Sequence, residues 1–287
     1  MLTLVTVCFN NPDELEKTVA SVQWQTAKPD RYVIVDSSDA NVQEHMRAIA
    51  SSAQATYLWI PPTGVYAAMR ESMKHVSDGS WVWWVNSSDW LAGKKSVEAV
   101  VNVISSDSVG RAHWIVGELL RYKDGSVSRH ETGNSGKEFL HLLQSGKTGF
   151  PHPSTIFRKS SLAEISPYTD GFSIASDYAT ALRFGKKFGP PLLLPATLSV
   201  HDPSGLTSRH PVKNLTEKSL ARLRVAAGSG KVKELWRLPR SVVHGVVTRL
   251  VGEKPAENGT SASRLHYLRA NEPFESSDGD GINLNIT

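Results

Sequence analysis

The sequence predicts an α/β protein with a mostly parallel central sheet flanked by helices, and a mainly helical extension at the C-terminal end. Three observations predict this class. Short apolar runs rich in β-branched and aromatic residues alternate with segments of helical periodicity over residues 2–104. Polar clusters directly follow several of these runs, at the edge where parallel strands present binding groups. After His210 the chain becomes basic and amphipathic.

The first half of the chain alternates regularly between predicted strands and predicted helices. The predicted strands are apolar runs too short for a typical helix, and they lie at 2–9, 32–35, 55–60 and 81–85. The predicted helices have apolar residues at helical spacing, and they lie at about 12–25, 42–52, 65–76 and 94–104. This order is typical of a parallel sheet with right-handed crossovers.

The second half mixes hairpins and helices on the same core. Residues 114–122 and 126–130 predict two strands joined by an Asp-Gly turn. The remaining predicted elements are strands at 155–158 and 192–200, and helices at 137–145 and 175–188.

Length and composition favour one main domain with an appendage. The chain has 287 residues, of which 40% are hydrophobic, and this is enough for a substantial core. We expect a main domain over 1–210, a basic amphipathic helical extension over 211–255 and a flexible tail over 256–287. The net charge of +4 permits anionic partners, but no motif supports nucleic-acid binding.

Cysteine usage and hydropathy indicate a cytoplasmic protein. Cys8 is the single cysteine and cannot form an internal disulfide, which fits a reducing compartment. No uninterrupted apolar run reaches the ~18 residues typical of a spanning helix. Within 213–254, an apolar stripe flanked by arginines is typical of a helix lying on the anionic inner face of the cell membrane. The alternative is a helix packed on the protein's own core or on a second subunit.

Three predicted loops leave the sheet at the same edge with polar side chains, beginning at Asn10, Asp36 and Asn86. In the third loop, Asp89 is a lone carboxylate among small hydroxyl residues. Such a carboxylate can hold a divalent cation, which can hold a diphosphate. The alternative is a strand-to-helix turn capped by Ser and Asp. The sequence contains neither GxGxxG nor GxxxxGK[ST], so a dinucleotide-binding Rossmann fold and a phosphate loop have no direct support.

Five sequence blocks occur in a fixed order over residues 1–208. They are VTVCFN, RYVIVDSSDAN, GVYAAMRESMKHVSDGSWVWWVNSSDW, HPSTIFRKSSL and FSIASDYATALRF. In this order they resemble the blocks of family 2 glycosyltransferases with the GT-A fold, of the bacterial cell-envelope polysaccharide type. The resemblance implies transfer of a sugar from a nucleotide-diphosphate sugar donor to a glycan or lipid-linked saccharide acceptor.

The resemblance also implies roles for the donor-side residues. Asp89 matches the last acidic residue of the family's metal motif, whose divalent metal (Mn²⁺ or Mg²⁺) bridges the two phosphates of the donor. His201 falls where many such enzymes place a further metal ligand. Asp36 matches the aspartate that contacts the nucleoside, and Thr6 and Asn10 line the same pocket.

Asp177 matches the general base of inverting family members, which act by metal-assisted single displacement. Its place at the start of a predicted helix would keep the carboxylate ionised, although the same place also suits a helix cap. Glu118 and His152 are candidate acceptor-side residues, with a rigid loop as the alternative for His152. Arg70 could contact the diphosphate, or it could be a solvated helix residue.

Besides Arg70, which stands where the family often carries asparagine, three positions depart from the family pattern. Ser87 and Ser88 stand where the family's turn usually carries a second acid, and Ala67 replaces an aspartate that contacts the donor sugar. These departures favour an alternative, a non-catalytic sugar-nucleotide or glycan-binding relative of the same fold. A nucleotidyltransferase would normally carry a glycine-rich basic loop after the first strand, and Asn10-Asn11-Pro12 is not such a loop.

Overall fold

The structure is a computed structural model that describes residues 1–123, 125–202 and 209–227. Its strands are β1 (Leu2–Cys8), β2 (Arg31–Asp36), β3 (Thr56–Trp59), β4 (Trp81–Trp84), β5 (Trp90–Leu91), β6 (Trp114–Lys123), β7 (Ser126–Arg129), β8 (Thr155–Arg158) and β9 (Leu192–His201). Its helices are α1 (Pro12–Gln23), α2 (Ala40–Ser52), α3 (Val65–Ser72), α4 (Ser96–Ile104), α5 (Gly136–Ser145), α6 (Lys159–Ala163), α7 (Ser176–Phe188) and α8 (Pro211–Ala227).

The first half of the chain forms a parallel sheet with the order β3-β2-β1-β4. Strand–helix connections of this kind place the carboxyl ends of all four strands at one edge. The predicted parallel α/β arrangement is therefore confirmed. The predicted helix over 65–76 is shorter than expected, because α3 ends at Ser72 and a 3₁₀ turn, Met73–His75, follows it.

The second half extends the same sheet with mixed strand directions. β8 is antiparallel to β4 and to β6, β9 runs parallel to β6, and β7 forms the predicted hairpin with β6. β5 was not predicted, and it pairs antiparallel with β9 at the far edge of the main strand order. A two-residue strand leaves no periodicity in the sequence, so only its partner could reveal it.

The tryptophans of β4 belong to the core on opposite faces of the sheet. Trp83 and Trp84 are both fully buried and lie in different hydrophobic clusters. The indole N–H of Trp83 donates to the carbonyl of Pro153 at 2.7 Å, and that of Trp84 donates to Ser72 Oγ at 3.1 Å. Both polar groups are thereby satisfied in the interior, and neither ring is free to stack on a sugar.

The start of the C-terminal extension is part of this core. Ala221 of α8 is buried in the cluster that also contains residues of α7, and Val225 packs against that cluster. The predicted boundary at residue 210 therefore does not separate α8 from the main domain. The rest of the predicted extension, 228–255, and the predicted tail, 256–287, lie outside the described residues.

Among the described helices, none has both the length and the apolar character needed to cross a bilayer.

Candidate active site

The carboxyl edge of β2 is organised by the buried carboxylate of Asp36. Asp36 is fully buried, and its Oδ2 accepts a hydrogen bond from the Tyr57 hydroxyl at 2.6 Å. Its Oδ1 accepts from the backbone N–H and the hydroxyl of Ser38 and from the Cys8 thiol. Burial and the neighbouring carboxylate raise the pKa of Cys8 above its usual range. The structure therefore corrects the predicted nucleoside contact, since Asp36 holds the loop and has no exposed oxygen to offer.

Asn10 and Asp39 are the exposed polar groups of this edge. Asn10 has a left-handed backbone, with φ at 52°. Its side chain clamps Asp39, with Nδ2 donating to Asp39 Oδ2 at 2.7 Å and Oδ1 accepting from the Asp39 N–H at 2.9 Å. Phe9, which follows β1, and Trp59, which ends β3, leave 53% and 44% of their surface exposed at the same edge. The edge thus presents one carboxylate, one amide and two aromatic rings.

Thr6 does not reach this edge. Its side chain is fully buried, and its hydroxyl donates to the Val85 carbonyl at 2.8 Å and lies 3.1 Å from the Tyr32 hydroxyl. Both hydrogen bonds of the Thr6 hydroxyl are made in the interior. The prediction that Thr6 lines a nucleotide pocket is therefore wrong. Its role is to tie β1 to β4 and β2 within the sheet.

The turn after β4 is closed by a hydrogen bond from the Asp89 N–H to the Asn86 carbonyl at 2.9 Å. Ser88 has φ at 92°, the left-handed conformation that a non-glycine residue rarely adopts. The Ser87 hydroxyl accepts a hydrogen bond from Asn11 Nδ2 at 2.8 Å. Ser87 therefore fixes the turn onto the start of α1, while the strained Ser88 redirects the chain so that β5 can follow.

Asp89 forms an ion pair with His201 that the pairing of β5 with β9 explains. Trp90 is the register partner of Val200, so the residues next to them, Asp89 and His201, are brought together. His201 Nδ1 donates to Asp89 Oδ1 at 2.6 Å, and only 5% of Asp89 is exposed. Burial alone would lower the pKa of His201, but the Asp89 carboxylate overrides burial and raises it. The two predicted metal ligands, 112 residues apart in sequence, are thus direct neighbours.

These side chains fit a divalent cation that takes most of its ligands from a substrate. A carboxylate oxygen and an imidazole nitrogen are suitable ligands for Mn²⁺, and Mg²⁺ needs as few as one or two carboxylates when phosphates complete the shell. The buried Oδ1 of Asn86, in the same turn, has no hydrogen-bond partner within the described ranges. Nowhere in those ranges do three or more His, Cys, Asp or Glu side chains form a metal cluster.

The predicted base, Asp177, lies in the first turn of α7 and is partly exposed. The cap position of α7 is Ala175, so Asp177 is not the N-cap of its helix. Its Oδ1 accepts from the Tyr178 N–H at 2.7 Å and lies 3.1 Å from the Tyr66 hydroxyl. That hydroxyl also donates to the Ile174 carbonyl at 2.5 Å. Tyr66 of α3 therefore holds the carboxylate and the chain in front of α7 together.

Glu217 of α8 holds the same segment from the other side. Its carboxylate accepts three backbone N–H groups, from Ser173 at 3.2 Å, Ile174 at 2.8 Å and Ala175 at 2.9 Å. Burial would raise the pKa of Glu217, but these hydrogen bonds outweigh it and lower the pKa below its usual value. The three N–H groups precede α7, where a helix start leaves donors without partners. Glu217 thus anchors the segment that carries Asp177.

His152 lies near both the predicted base, Asp177, and the predicted metal ligand, Asp89. It is buried, stacks on Trp84 and lies 3.2 Å from the Tyr168 hydroxyl through its Nε2. Burial lowers the pKa of His152, whereas the charges of Asp177 and Asp89 both raise it. Both carboxylates therefore lie close enough for their charges to act on one buried ring. His152 itself is packed in the interior against Trp84.

Arg70 and Glu118 are engaged by neighbours of their own. Arg70 is exposed and donates to the Tyr168 carbonyl at 2.5 Å, so it ties α3 to the loop before α7. Glu118 lies at a register shift between β6 and β9, where it binds Arg129 at 3.2 Å and Thr197 at 3.1 Å. The described contacts do not connect either side chain with Asp89 or Asp177.

Arg121 and His130 form a further hydrogen-bonded pair on the strand beside His201. Arg121 of β6 is the register partner of His201, and its Nη2 lies 2.7 Å from His130 Nδ1. Because arginine can only donate, His130 Nδ1 is the acceptor and its Nε2 carries the proton. Nε2 then donates to the Gly149 carbonyl at 3.2 Å.

We expect His130 to make the fold sensitive to acid. Burial and then the Arg121 charge lower its pKa to about 4. An unfolded histidine titrates near pH 6.5. The stability that neutral His130 provides is therefore complete above pH 6.5 and is lost as the pH falls to about 4, up to about 3 kcal/mol.

Urea unfolding at several pH values tests this expectation. His130→Gln should flatten the pH dependence of the unfolding free energy between pH 6.5 and 4, whereas His45→Gln, at an exposed position, should not. An unchanged slope in His130→Gln would contradict it.

Several residues that complete the site were not predicted. Tyr66 lies in the block GVYAAM, which was a signal of its importance. Asp39 lies in the predicted loop, but nothing local distinguishes it from Asp36. Glu217 and Arg121 carry no local signal, because Glu217 binds a segment about 43 residues away and Arg121 is in register with His201 on another strand.

Comparisons with known proteins identify the family of this chain. The family model of Glycosyl transferase family 2 matches residues 3–166, more than half of the chain. The uncharacterized glycosyltransferase Rv1514c of Mycobacterium tuberculosis is 26% identical over 183 residues, which cover 63% of this chain and 68% of that protein.

Solved structures of low sequence identity share the fold. Staphylococcus aureus TarS 1-349 in complex with UDP matches with a TM-score of 0.62 at 10% identity, covering 93% of this chain and 78% of that one. A longer TarS structure is covered over only 39% of its length. Glucosyl-3-phosphoglycerate synthase from M. tuberculosis, in complex with Mn²⁺, UDP and glucosyl-3-phosphoglycerate, matches with a TM-score of 0.54 at 13% identity, covering 77% and 79%. The chain therefore belongs to glycosyl transferase family 2, and it is a glycosyltransferase with the GT-A fold.

Proposed function

We propose that the protein transfers a sugar from a nucleotide-diphosphate sugar to a hydroxyl group of a saccharide acceptor, with inversion at the anomeric carbon. The observation that carries the proposal is the pair of carboxylates around His152. Asp89 is paired with His201 on one side, and Asp177 is held by Tyr66 on the other. In this proposal Asp89 acts on the donor side and Asp177 acts on the acceptor side.

In this proposal the donor lies along the carboxyl edge of β1, β2 and β4. The exposed clamp of Asn10 and Asp39 offers an amide and a carboxylate to the polar groups of a nucleoside. The exposed rings of Phe9 and Trp59 offer surfaces on which a base can stack. Asp36 supports this pocket from beneath by holding Ser38.

Asp89 and His201 would hold a divalent cation together with the phosphates of the donor. When bound, such a cation neutralises the charge that builds up on the leaving diphosphate. UDP and Mn²⁺ are present in the structure of the related glucosyl-3-phosphoglycerate synthase. That observation and the pair itself support metal assistance in this chain.

Asp177 would accept the proton of the attacking hydroxyl group as that oxygen forms its bond to the anomeric carbon. The Asp177 Oδ1 atom is held by Tyr66 and by the Tyr178 N–H, and partial exposure leaves the carboxylate open to an acceptor. A base on the side opposite the leaving group produces inversion in a single displacement. We propose a glycan or lipid-linked saccharide in cell-envelope synthesis as the acceptor, reached from the cytoplasm with peripheral membrane contact through 213–254.

Donor binding is tested by thermal shift with UDP-, GDP- and dTDP-sugars, each with and without Mn²⁺. A ligand at ~100 times its Kd stabilises the native state by about 2.7 kcal/mol. That corresponds to roughly 5–10 °C in Tm for a domain of this size. We expect one class of donor to produce such a shift only when Mn²⁺ is present.

The variant Asp89→Asn should lose most of this Mn²⁺-dependent shift, because the amide oxygen is a weaker metal ligand. The control Glu44→Gln, an exposed residue of α2, should keep it. A full Mn²⁺-dependent shift in Asp89→Asn would remove Asp89 from the metal site.

The alternative, a sugar-nucleotide-binding relative without catalysis, is favoured by one observation. Ser87 and Ser88 are serines, so Asp89 is the one carboxylate of the turn, and the Ser87 hydroxyl is already bound to Asn11. A donor that binds with Mn²⁺ but releases no nucleotide diphosphate, with any acceptor or with water, would establish this alternative and exclude transfer.

A further inference from the structure

A basic cluster lies beside the proposed site and has no part in the steps described above. It consists of Arg121 of β6, His130 and Lys218 of α8. Arg121 is in register with His201, which pairs with Asp89. Lys218 Nζ lies 5.6 Å from the ring centre of Tyr178, the residue that follows Asp177. The cluster therefore reaches from the metal side of the site to the base side.

The members of the cluster are close enough to perturb one another. Burial lowers the pKa of Lys218, Asp177 raises it, and the charge of Arg121 lowers it again. The charges of Arg121 and Lys218 both lower the pKa of His130. In the part of the chain that the structure describes, no carboxylate forms an ion pair with Arg121 or Lys218. The charges of Arg121 and Lys218 repel each other, Asp177 offsets part of that repulsion at Lys218, and a bound anion would relieve more of it.

The guanidinium of Arg121 is oriented in advance. Neutral His130 accepts from its Nη2 and is itself fixed by the Gly149 carbonyl. The Nη2 edge of the Arg121 guanidinium is thus held, while the exposed side chain leaves its other N–H groups free to donate. A fixed guanidinium beside a lysine is well suited to a phosphate or carboxylate group.

We propose, on the basis of the sugar-transfer function proposed above, that Arg121 and Lys218 bind an anionic group of the acceptor, a phosphate or a carboxylate. Bound there, the anion holds the acceptor so that its hydroxyl group faces Asp177. The competing occupant is the diphosphate of the donor. The position of Lys218 over Tyr178, next to the base, favours the acceptor.

Calorimetric titration of the full chain, saturated with UDP and Mn²⁺, tests the proposal. Glycerol 3-phosphate, glycerate and glycerol serve as phosphate, carboxylate and neutral probes. We expect at least one anion to bind, which identifies the preferred group, and we expect glycerol not to bind. Arg121→Gln and Lys218→Gln should each weaken that binding about tenfold, as expected for loss of one charge-assisted hydrogen bond.

Matched controls separate this site from general surface charge. Lys123→Gln and Lys213→Gln remove exposed lysines from the same strand and the same helix and should leave binding unchanged. Lys218→Arg keeps the positive charge and should retain binding, which guards against a variant that simply fails to fold.

Two results would overturn the proposal. Anion binding that is absent, or unchanged in Arg121→Gln and Lys218→Gln, would exclude the subsite. An equal loss of UDP affinity in both variants would assign the cluster to the donor. Failure of UDP to bind the wild-type chain with Mn²⁺ would instead count against the sugar-transfer function. The same anion titration on the free chain would then still decide the role of the cluster.

Discussion

Asp177→Asn is expected to lower the rate of sugar transfer by roughly 10²–10⁴-fold, the range that a general base contributes. The amide cannot accept the proton of the attacking hydroxyl group. It has nearly the same shape, so Tyr66 and the Tyr178 N–H can still hold its oxygen. Donor affinity should change less than about twofold, because the proposed donor contacts lie at Asp89 and at the edge of β1 and β2.

The measurement is nucleotide diphosphate release with and without acceptor, alongside donor affinity. Asp13→Asn is the matched control, since Asp13 also lies in the first turn of a helix, α1. It removes the same interaction of a carboxylate with a helix dipole without touching the proposed base. Equal release by Asp177→Asn and the wild type would show that Asp177 is not the base.

Glu217→Gln is expected to destabilise the fold and to slow transfer together. The carboxylate of Glu217 accepts the N–H groups of Ser173, Ile174 and Ala175. Glutamine keeps one oxygen but turns an NH₂ group toward these donors, so at least one of the three N–H groups loses its partner. Loss of a hydrogen bond to a charged group costs about 1.5–3 kcal/mol. Displacement of the segment before α7 should move Asp177 and lower kcat more than it raises the KM for the donor.

Urea unfolding and steady-state kinetics check both effects. Because hydrogen bonds lower the pKa of Glu217, its contribution to stability is present above pH ~4.3 and declines as the pH falls below that value. The destabilisation of Glu217→Gln relative to the wild type should therefore shrink in strong acid. Glu44→Gln serves as the exposed control. Wild-type stability with reduced kcat would show positioning alone, and wild-type values of both would refute the anchoring role.

The strand-and-helix order of the first half could be predicted because it depends on local periodicity. The runs 2–9, 32–35, 55–60 and 81–85 carry the composition of buried strands, and the ends of β1 to β4 lie within one residue of them. The same locality made Asp89 and Asp177 recognisable, since each follows or opens an element at a fixed position. Conversely, β5 escaped prediction because two residues carry no period.

The predictions for Thr6 and Asp36 failed for a different reason. Both residues lie in the right sequence block, but a block does not reveal which side of the sheet a side chain faces once its neighbours are packed. Tyr32 and Val85 draw Thr6 into the interior, and Tyr57 closes over Asp36. The exposed member of the Asp36–Asp39 loop is therefore Asp39, which only the tertiary structure could distinguish.

The sequence by itself determined the α/β class, the parallel half of the sheet and the two carboxylates on which the proposed chemistry depends. Only the tertiary structure decided what surrounds them: His201 against Asp89, Tyr66 and Glu217 around the start of α7, and Arg121 with Lys218 at the mouth of the site. The physical reason is distance along the chain. Periodicity and turn chemistry act over a few residues, whereas these contacts join residues 40 to 112 positions apart in the sequence.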